Sequence, residues 1–177
     1  ENGAAISLEL EAFGQQVVDK LEPFVDENDF RHNLPRLELY DNIGQRVDQV
    51  IHHPAYSQAG DVIYGSHIIE KASQPGKLLE SLVLFFLSCH AGEAGHNCPV
   101  ACTAGLLRVL RKVPDFPEKS AYVKKLMEPS FTHNYTGAQF ITEIQGGSDV
   151  GLNASQAFQQ EDGTWRVQGE KWFCSNA

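Results

Sequence analysis

Two stretches of the chain gather residue types that can do chemistry. The first is FITEIQGGSDVG, Phe140 to Gly151, which sets a Thr-Glu pair, two adjacent glycines and a Ser-Asp pair in close succession. Tandem glycines beside small hydroxyls let backbone come very close to a neighbour. That neighbour is either another strand, with Gly146 and Gly147 forming a bulge, or a planar cofactor. A flavin ring needs hydrogen-bond donors along its pyrimidine edge, because negative charge gathers at N1 and O2 when a hydride arrives. The backbone at Gly146 and Gly147 and the hydroxyls of Thr142 and Ser148 are donors of that kind, and the later run Phe173-Cys174-Ser175 offers an aromatic ring and another hydroxyl. Residue types and spacing leave both readings open.

The second stretch is CHAGEAGHNCPVAC, which collects Cys89, His90, Glu93, His96, Cys98 and Cys102, all residue types that bind transition metals. It has no Cys-x2-Cys pair and no His-Glu-x-x-His, so no metal is assigned; the cysteines read as small packing residues and Gly95 to Pro99 as a loop between helices. His52 and His53 precede Pro54 in an extended run where adjacent side chains point apart, which suits a structural or surface role. The chain has no Ser-His-Asp arrangement and no phosphate loop of the Gly-x4-Gly-Lys-Ser type.

These residues must be held by a fold, and bulk properties limit which. The 177 residues suffice for one domain and a fragment of another, and 42% hydrophobic content supports a true core. A formal charge of −9 gives no support for phosphate-backbone binding by this segment. Four unevenly placed cysteines do not make a disulfide framework, so a reducing, cytoplasmic setting is expected. The most apolar run, LLESLVLFFLSC, is too short for a bilayer span and contains Glu80, so no membrane role is expected. The chain lacks an initiator Met and stops at KWFCSNA directly after a strand-like run, so it reads as a piece of a longer protein.

Helical periodicity runs from Ser7 to Val25, where Pro23 should break it. Asn33 to Tyr40 and Gln45 to Val50 alternate polar and apolar residues around an Asp41–Gly44 turn. Helices are predicted from Ala55, again from about Gly65, and over Leu78 to Gly92, the last apolar almost all round and therefore central and buried. Pro99 opens a helix to Val109 or Leu110, and Ser120 to Met127 forms a short one ended by Pro129. After His133 the composition turns to β-formers. A β unit should begin near 138, with a hairpin of Ala154–Gln159 and Thr164–Gln168 about Glu161-Asp162-Gly163, then a turn at Gly169-Glu170 and a strand from Lys171 to Ser175.

The order ITEIQGGSD, hairpin, WRVQGEKWFCSNA resembles the acyl-CoA dehydrogenase family, whose signature is Thr-Glu, a small-residue spacer and Ser-Asp, followed downstream by Gly-x-Lys and Thr/Ser-Asn-Ala. LYDNIGQRVDQVIHHPAY and GHNCPVACTAGLL are similar to its AidB-like, adaptive-response branch, so the matching pieces run from about Leu39 to Ala177. The resemblance implies an α+β chain: an all-α N-terminal domain over 1–136, the start of an antiparallel β-barrel middle domain over 137–177, and a C-terminal four-helix domain absent from this sequence. It implies FAD lined by Gln139, Ile141, Thr142, Gly147, Ser148 and Cys174, with Phe173 covering the ring and Ser175 bringing its backbone and hydroxyl toward N5. Ser148 would also meet the substrate's phosphopantetheine. Ile144-Gln145 stands where the commoner family form has Pro, and Ser175 replaces the commoner Thr while keeping its hydroxyl.

The implied activity is α,β-dehydrogenation of an acyl-CoA, with a hydride passing to flavin N5 and electrons to an electron-transfer flavoprotein. The Leu82–Cys102 region would form one wall of the acyl pocket. The family's catalytic base is a glutamate of the absent part, so no catalytic residue is assigned. A homodimer or homotetramer is expected. Two rivals stand beside this reading. One is a flavoprotein of the same branch with a protective role on DNA, binding DNA only through the absent C-terminal part; the other is a helical interaction module without a cofactor.

Overall fold

The computed structural model describes residues 2–175, with side chains from Ile6 onward. They form two compact units, one ending at Gly137 and one starting at Ala138. The first unit is mainly helical with one β-hairpin inserted and the second carries another hairpin, the α+β class that the sequence predicts, with two separate two-stranded sheets and no closed barrel among the described residues.

The helical unit opens with α1 (Asn2–Gln16), a π turn (Val17–Leu21) and α2 (Glu22–Asp29). Pro23 does not break this run, contrary to the sequence expectation. A proline within a helix lacks an N–H and crowds the carbonyl four residues back. Here the turn just before it is widened, with the Glu22 N–H bonded to the Val17 carbonyl five residues earlier, and such a bulge makes room for the ring. Leu21 stays fully buried and Val17 nearly so.

Next comes the hairpin β1 (Arg36–Tyr40) and β2 (Arg46–Ile51). The Asp41 carboxylate accepts the N–H groups of Ile43 (2.9 Å) and Gln45 (2.8 Å), and Gly44 takes φ +82°, so the turn is written in local chemistry. Val47 and Asp48 together oppose Leu39 in a bulge, and Asp48 sits at φ +46°. Leu37, Leu39, Val47 and Val50 are all exposed. The hairpin interrupts the otherwise helical unit, and the alternation around Asp41–Gly44 is its signal.

The helices that follow are α3 (Pro54–Gly65), α4 (Ile68–Ser73), α5 (Leu78–His90), α6 (Asn97–Leu110) and α7 (Lys119–Leu126). Their ends fall within three residues of the expected ones: α5 stops at His90 rather than Gly92, and α6 starts at Asn97 rather than Pro99, so part of the expected Gly95–Pro99 loop is helical. His53 Nδ1 accepts the Ala55 N–H at 3.2 Å and caps α3, whose first residue is Pro54. His67, at φ +59°, separates α3 from α4, which starts at Ile68 rather than near Gly65. Gly92 at φ +78° lies just beyond α5.

The orientation of α5 corrects the sequence reading. Instead of being buried all round, it exposes Leu78, Leu79 (73%), Leu82 and Phe86 (68%) and turns Glu80, Ser81, Leu84 and Ser88 inward. Its small polar residues fix the rotation. Ser81 Oγ donates to the Ile68 carbonyl (3.0 Å), Ser88 Oγ donates to Asn97 Oδ1 (2.7 Å), and Lys77 Nζ reaches Glu80 Oε1 (2.6 Å). Polar groups are buried only where partners await them, and hydrophobic periodicity carries no record of those partners. Leu21, Ile63, Ile68, Leu84 and Leu107 form the centre of the core.

In the second unit, β3 (Gln156–Gln159) pairs antiparallel with β4 (Trp165–Gln168), with Gln159 opposite Trp165. Asp162 accepts the backbone N–H and the hydroxyl of Thr164, and Gly163 takes φ +83°, so this hairpin forms where its turn residues put it. The strand expected over Lys171–Ser175 does not form, and the β unit expected to begin near 138 has no strand before Gln156, so the runs around Thr142 and Trp172 stay irregular. A strand needs a ladder of paired groups, and among the described residues a single backbone bond, Trp172 N–H to the Thr142 carbonyl (2.8 Å), joins the two runs. Among the described residues, no helix is long and apolar enough to cross a membrane.

Candidate functional site

Within the second unit the two glycines of the opening motif do different work. Glu143 and Gly146 exchange backbone bonds (2.9 and 3.1 Å) around Ile144-Gln145, closing a tight turn. A β-carbon on Gly146 would collide with Asn153 Oδ1, so this glycine is demanded by the chain's own packing. Asn153 is itself tied down, its Nδ2 donating to the Ile141 carbonyl at 2.8 Å. A β-carbon on Gly147 would meet nothing within 4 Å. Of the two origins that tandem glycines can have, close packing of the chain therefore explains Gly146 only.

Glu143 anchors the turn. Its side chain is 3% exposed and accepts from Lys171 Nζ (2.7 Å), the Ala154 N–H (2.6 Å), the Ser155 N–H (3.1 Å) and Gln145 Nε2 (2.6 Å). The Lys171 ammonium, helped by Ser155 and the Ala154 N–H, pulls the Glu143 carboxyl from its ordinary value of 4.5 down to about 2. The sign of the pH effect follows from a lowered folded-state value: the clasp contributes in full above pH 4.5 and is lost as pH falls toward 2. Acid titration of the protein should therefore leave the protection of the Ala154 and Ser155 amides against hydrogen exchange constant above pH 4.5 and lower it progressively from there toward pH 2. Protection that does not change across that interval would contradict the clasp.

The clasp borders a pocket of about 290 Å³ lined by Thr142, Glu143, Ile144, Gly147, Trp172 and Phe173. Trp172 and Phe173 meet edge to face, with ring centroids 5.8 Å apart. Phe173 sits at φ +56°, a left-handed conformation that strains a residue bearing a β-carbon by roughly 1–2 kcal/mol. Strain of this kind collects where a side chain must be aimed.

Of the residues singled out by sequence, the pocket thus brings together Thr142, Gly147 and Phe173. Gln139, Ile141, Ser148, Cys174 and Ser175 are exposed and do not line it. The Ile141 carbonyl is held by Asn153 and by Lys171 Nζ (3.2 Å), Cys174 Sγ turns to the Lys171 carbonyl (3.6 Å), and the Ser175 N–H bonds the Phe173 carbonyl (3.1 Å). The Asn-Ala end of the second motif half lies outside the described residues. Sequence reasoning missed Glu143, Ile144, Lys171 and Trp172. Glu143 and Lys171 were legible only as members of the Thr-Glu and Gly-x-Lys motif halves, because nothing local says that they meet.

Within the helical unit, Ile68, Ile69, Leu82, Phe85, Val100 and Ala101 are among the residues lining an apolar cavity of about 150 Å³ between α4, α5 and α6. In the Cys89–Cys102 stretch, Glu93 and His96 are engaged in capping and packing. Glu93 Oε2 accepts the His96 (2.6 Å) and Asn97 (3.2 Å) N–H groups and so caps α6. His96 is fully buried and stacked on Tyr56 with centroids 4.0 Å apart, and its Nε2 meets the Tyr56 carbonyl at 2.7 Å. Burial lowers its pKa, and because a carbonyl can only accept, Nε2 carries a proton. Cys89 and Cys98 are exposed and Cys102 is half-buried. Among the described residues, no three His, Cys, Asp or Glu side chains are grouped to hold a metal ion.

Comparison with known proteins gives concordant matches. Residues 2–135 match the profile of the adaptive response protein AidB N-terminal domain. The AidB protein of Escherichia coli K12, assigned to the acyl-CoA dehydrogenases, is 30% identical over 155 residues, covering 81% of this chain and 28% of that protein. Acyl-CoA dehydrogenase family member 11 of Caenorhabditis elegans is 27% identical over 180 aligned positions, covering 96% of this chain and 28% of that protein. The crystal structure of C. elegans ACDH-11 in complex with C11-CoA superposes with a TM-score of 0.78 at 25% identity, over 96% of this chain and 30% of that one. The apo form of Bd2924 gives 0.81 at 23% identity, over 96% of this chain and 35% of that one, a likeness of fold. The chain thus spans less than a third of the length of the curated relatives that it matches.

Proposed function

The chain belongs to the AidB N-terminal domain family, among relatives of the acyl-CoA dehydrogenases, and on that premise we propose that it serves an FAD-dependent acyl-CoA dehydrogenase. What supports this reading most directly is the pocket where Gly147 offers bare backbone between Thr142 and Phe173. Donors without obstructing side chains on one side and aromatic rings on the other suit a planar, electron-accepting ring. FAD, when bound, would supply the hydride-accepting chemistry.

The chain's own residues have simpler tasks in this proposal. The Thr142 hydroxyl and the Gly147 N–H donate to the polar ring edge, while Phe173 and Trp172 keep water from its face. Gln139, Ile141, Ser148, Cys174 and Ser175 serve the remainder of the cofactor, with Ser148 also turned to the substrate's phosphopantetheine. The apolar cavity beside Leu82, Phe85 and Val100 forms part of the acyl-chain wall. The domain assignment of 1–136 and 137–177, the electron-transfer flavoprotein as electron acceptor, and assembly as a homodimer or homotetramer belong to the same proposal. The base that takes the α-proton is sought outside these residues.

The test is the visible spectrum of the full-length protein. The expected result is a flavin spectrum that bleaches anaerobically on addition of an acyl-CoA. A flavin spectrum unaffected by acyl-CoAs of every length, together with salt-dependent DNA binding, would replace the dehydrogenase with the protective, DNA-associated role. A colourless protein that takes up no FAD would remove the cofactor altogether.

A further inference from the structure

Glu143 has the composition of a catalytic group and the surroundings of a structural one. A carboxylate presents about four lone-pair positions, and four donors occupy them: Lys171 Nζ, the Ala154 and Ser155 N–H groups and Gln145 Nε2. No acceptor position is left for a substrate proton. Its backbone is equally committed, exchanging bonds with Gly146. Lys171 does more than neutralise the carboxylate, since its ammonium also reaches the Ile141 carbonyl at 3.2 Å. The ion pair spans 28 positions of sequence and lies beside the backbone bond from the Trp172 N–H to the Thr142 carbonyl.

We infer that Glu143 and Lys171 are a positioning pair that aligns the Thr142–Gly147 turn with the Trp172–Phe173 segment and keeps the wall they form free of net charge. The inference rests on reading that pocket as the flavin site. Charge balance is the second half of the claim. Glu143 borders the pocket, and an uncompensated carboxylate there would oppose the negative charge that a flavin gains on reduction. Neither side chain reacts, so both act through the residues that they hold.

The full-length protein carrying Lys171→Met, Glu143→Gln, both changes, or Lys171→Arg tests this. Removing one partner of a buried pair leaves the other stranded, which is worse than removing both. Lys171→Met should weaken FAD binding by roughly tenfold or more and lower the flavin midpoint potential. The double variant should recover part of both losses, and Lys171→Arg should keep near-normal binding. Wild-type affinity and potential in Lys171→Met, or single effects that simply multiply in the double variant, would overturn the pairing. Amide exchange at Ala154 and Ser155 in FAD-free protein gives a readout independent of the cofactor. Faster exchange in Glu143→Gln supports the clasp even if the wild type takes up no flavin, in which case only the flavin reading falls; unchanged exchange refutes the clasp.

Discussion

Gly147→Val is expected to abolish flavin retention in the full-length protein while the helical unit keeps its fold. The position separates cofactor from protein unusually well. A β-carbon at Gly147 touches no protein atom within 4 Å, and its backbone φ lies outside the left-handed range, so the chain itself tolerates a side chain there. Gly147 lines the pocket with Thr142 and Phe173, where the bare backbone is proposed to meet the ring, and an isopropyl group there is expected to obstruct it. A steric conflict of a few kcal/mol lowers affinity by about a hundredfold or more. The flavin-to-protein ratio after gel filtration should fall to near zero, with unchanged helical circular dichroism. Gly146→Val is the instructive comparison: its side chain would strike Asn153 and open the turn whether or not a cofactor exists. Full flavin content in Gly147→Val would mean that the ring, if bound, lies elsewhere.

The second large effect belongs to stability. Leu21 is 0% exposed and packs in the core at the end of the π turn that accommodates Pro23. Leu21→Ala should destabilise the helical unit by roughly 2–5 kcal/mol, from lost burial together with the cavity left behind. A domain's whole stability is about 5–15 kcal/mol, so this one change removes a large part of it. The denaturation midpoint should fall at nearly constant slope. Leu8→Ala, on the same helical run but 66% exposed, should change stability by less than about 0.5 kcal/mol. Equal effects from the two would mean that the core is not centred where the helices put it.

These expectations depend unequally on sequence and on structure. Where backbone conformation is chosen within a few residues, the sequence was sufficient. Asp41 and Gly44 wrote one hairpin, Asp162 and Gly163 the other, and Pro54 and Gly92 marked helix ends. The two motif halves in their order were also readable, and the family match over 2–135 agrees with the AidB-like branch to which LYDNIGQRVDQVIHHPAY and GHNCPVACTAGLL pointed.

Three readings needed the folded chain. Pro23 acts on its neighbours, and whether a helix breaks or widens around it depends on packing that keeps Val17 and Leu21 buried. The strand expected over Lys171–Ser175 had the right residue types, but β structure exists only where a partner backbone is paired, and residue types do not specify that. The face of α5 was decided by Ile68 and Asn97 waiting for Ser81 and Ser88, so an almost wholly apolar helix turned serines inward and left Leu79 and Phe86 outside.

By itself, then, the sequence determined which segments turn, which run as helices, and which family signature the chain carries. The turns and helices follow from the dihedral preferences and periodicity of neighbouring residues, whereas the signature is carried by resemblance to a known family. Tertiary structure alone decided that Gly146 serves Asn153 whereas Gly147 faces a pocket, and that Glu143 is saturated by Lys171 and two distant amides. A hydrogen bond or an ion pair depends on atoms that folding brings within about 3 Å of each other, and separation along the chain does not encode that proximity.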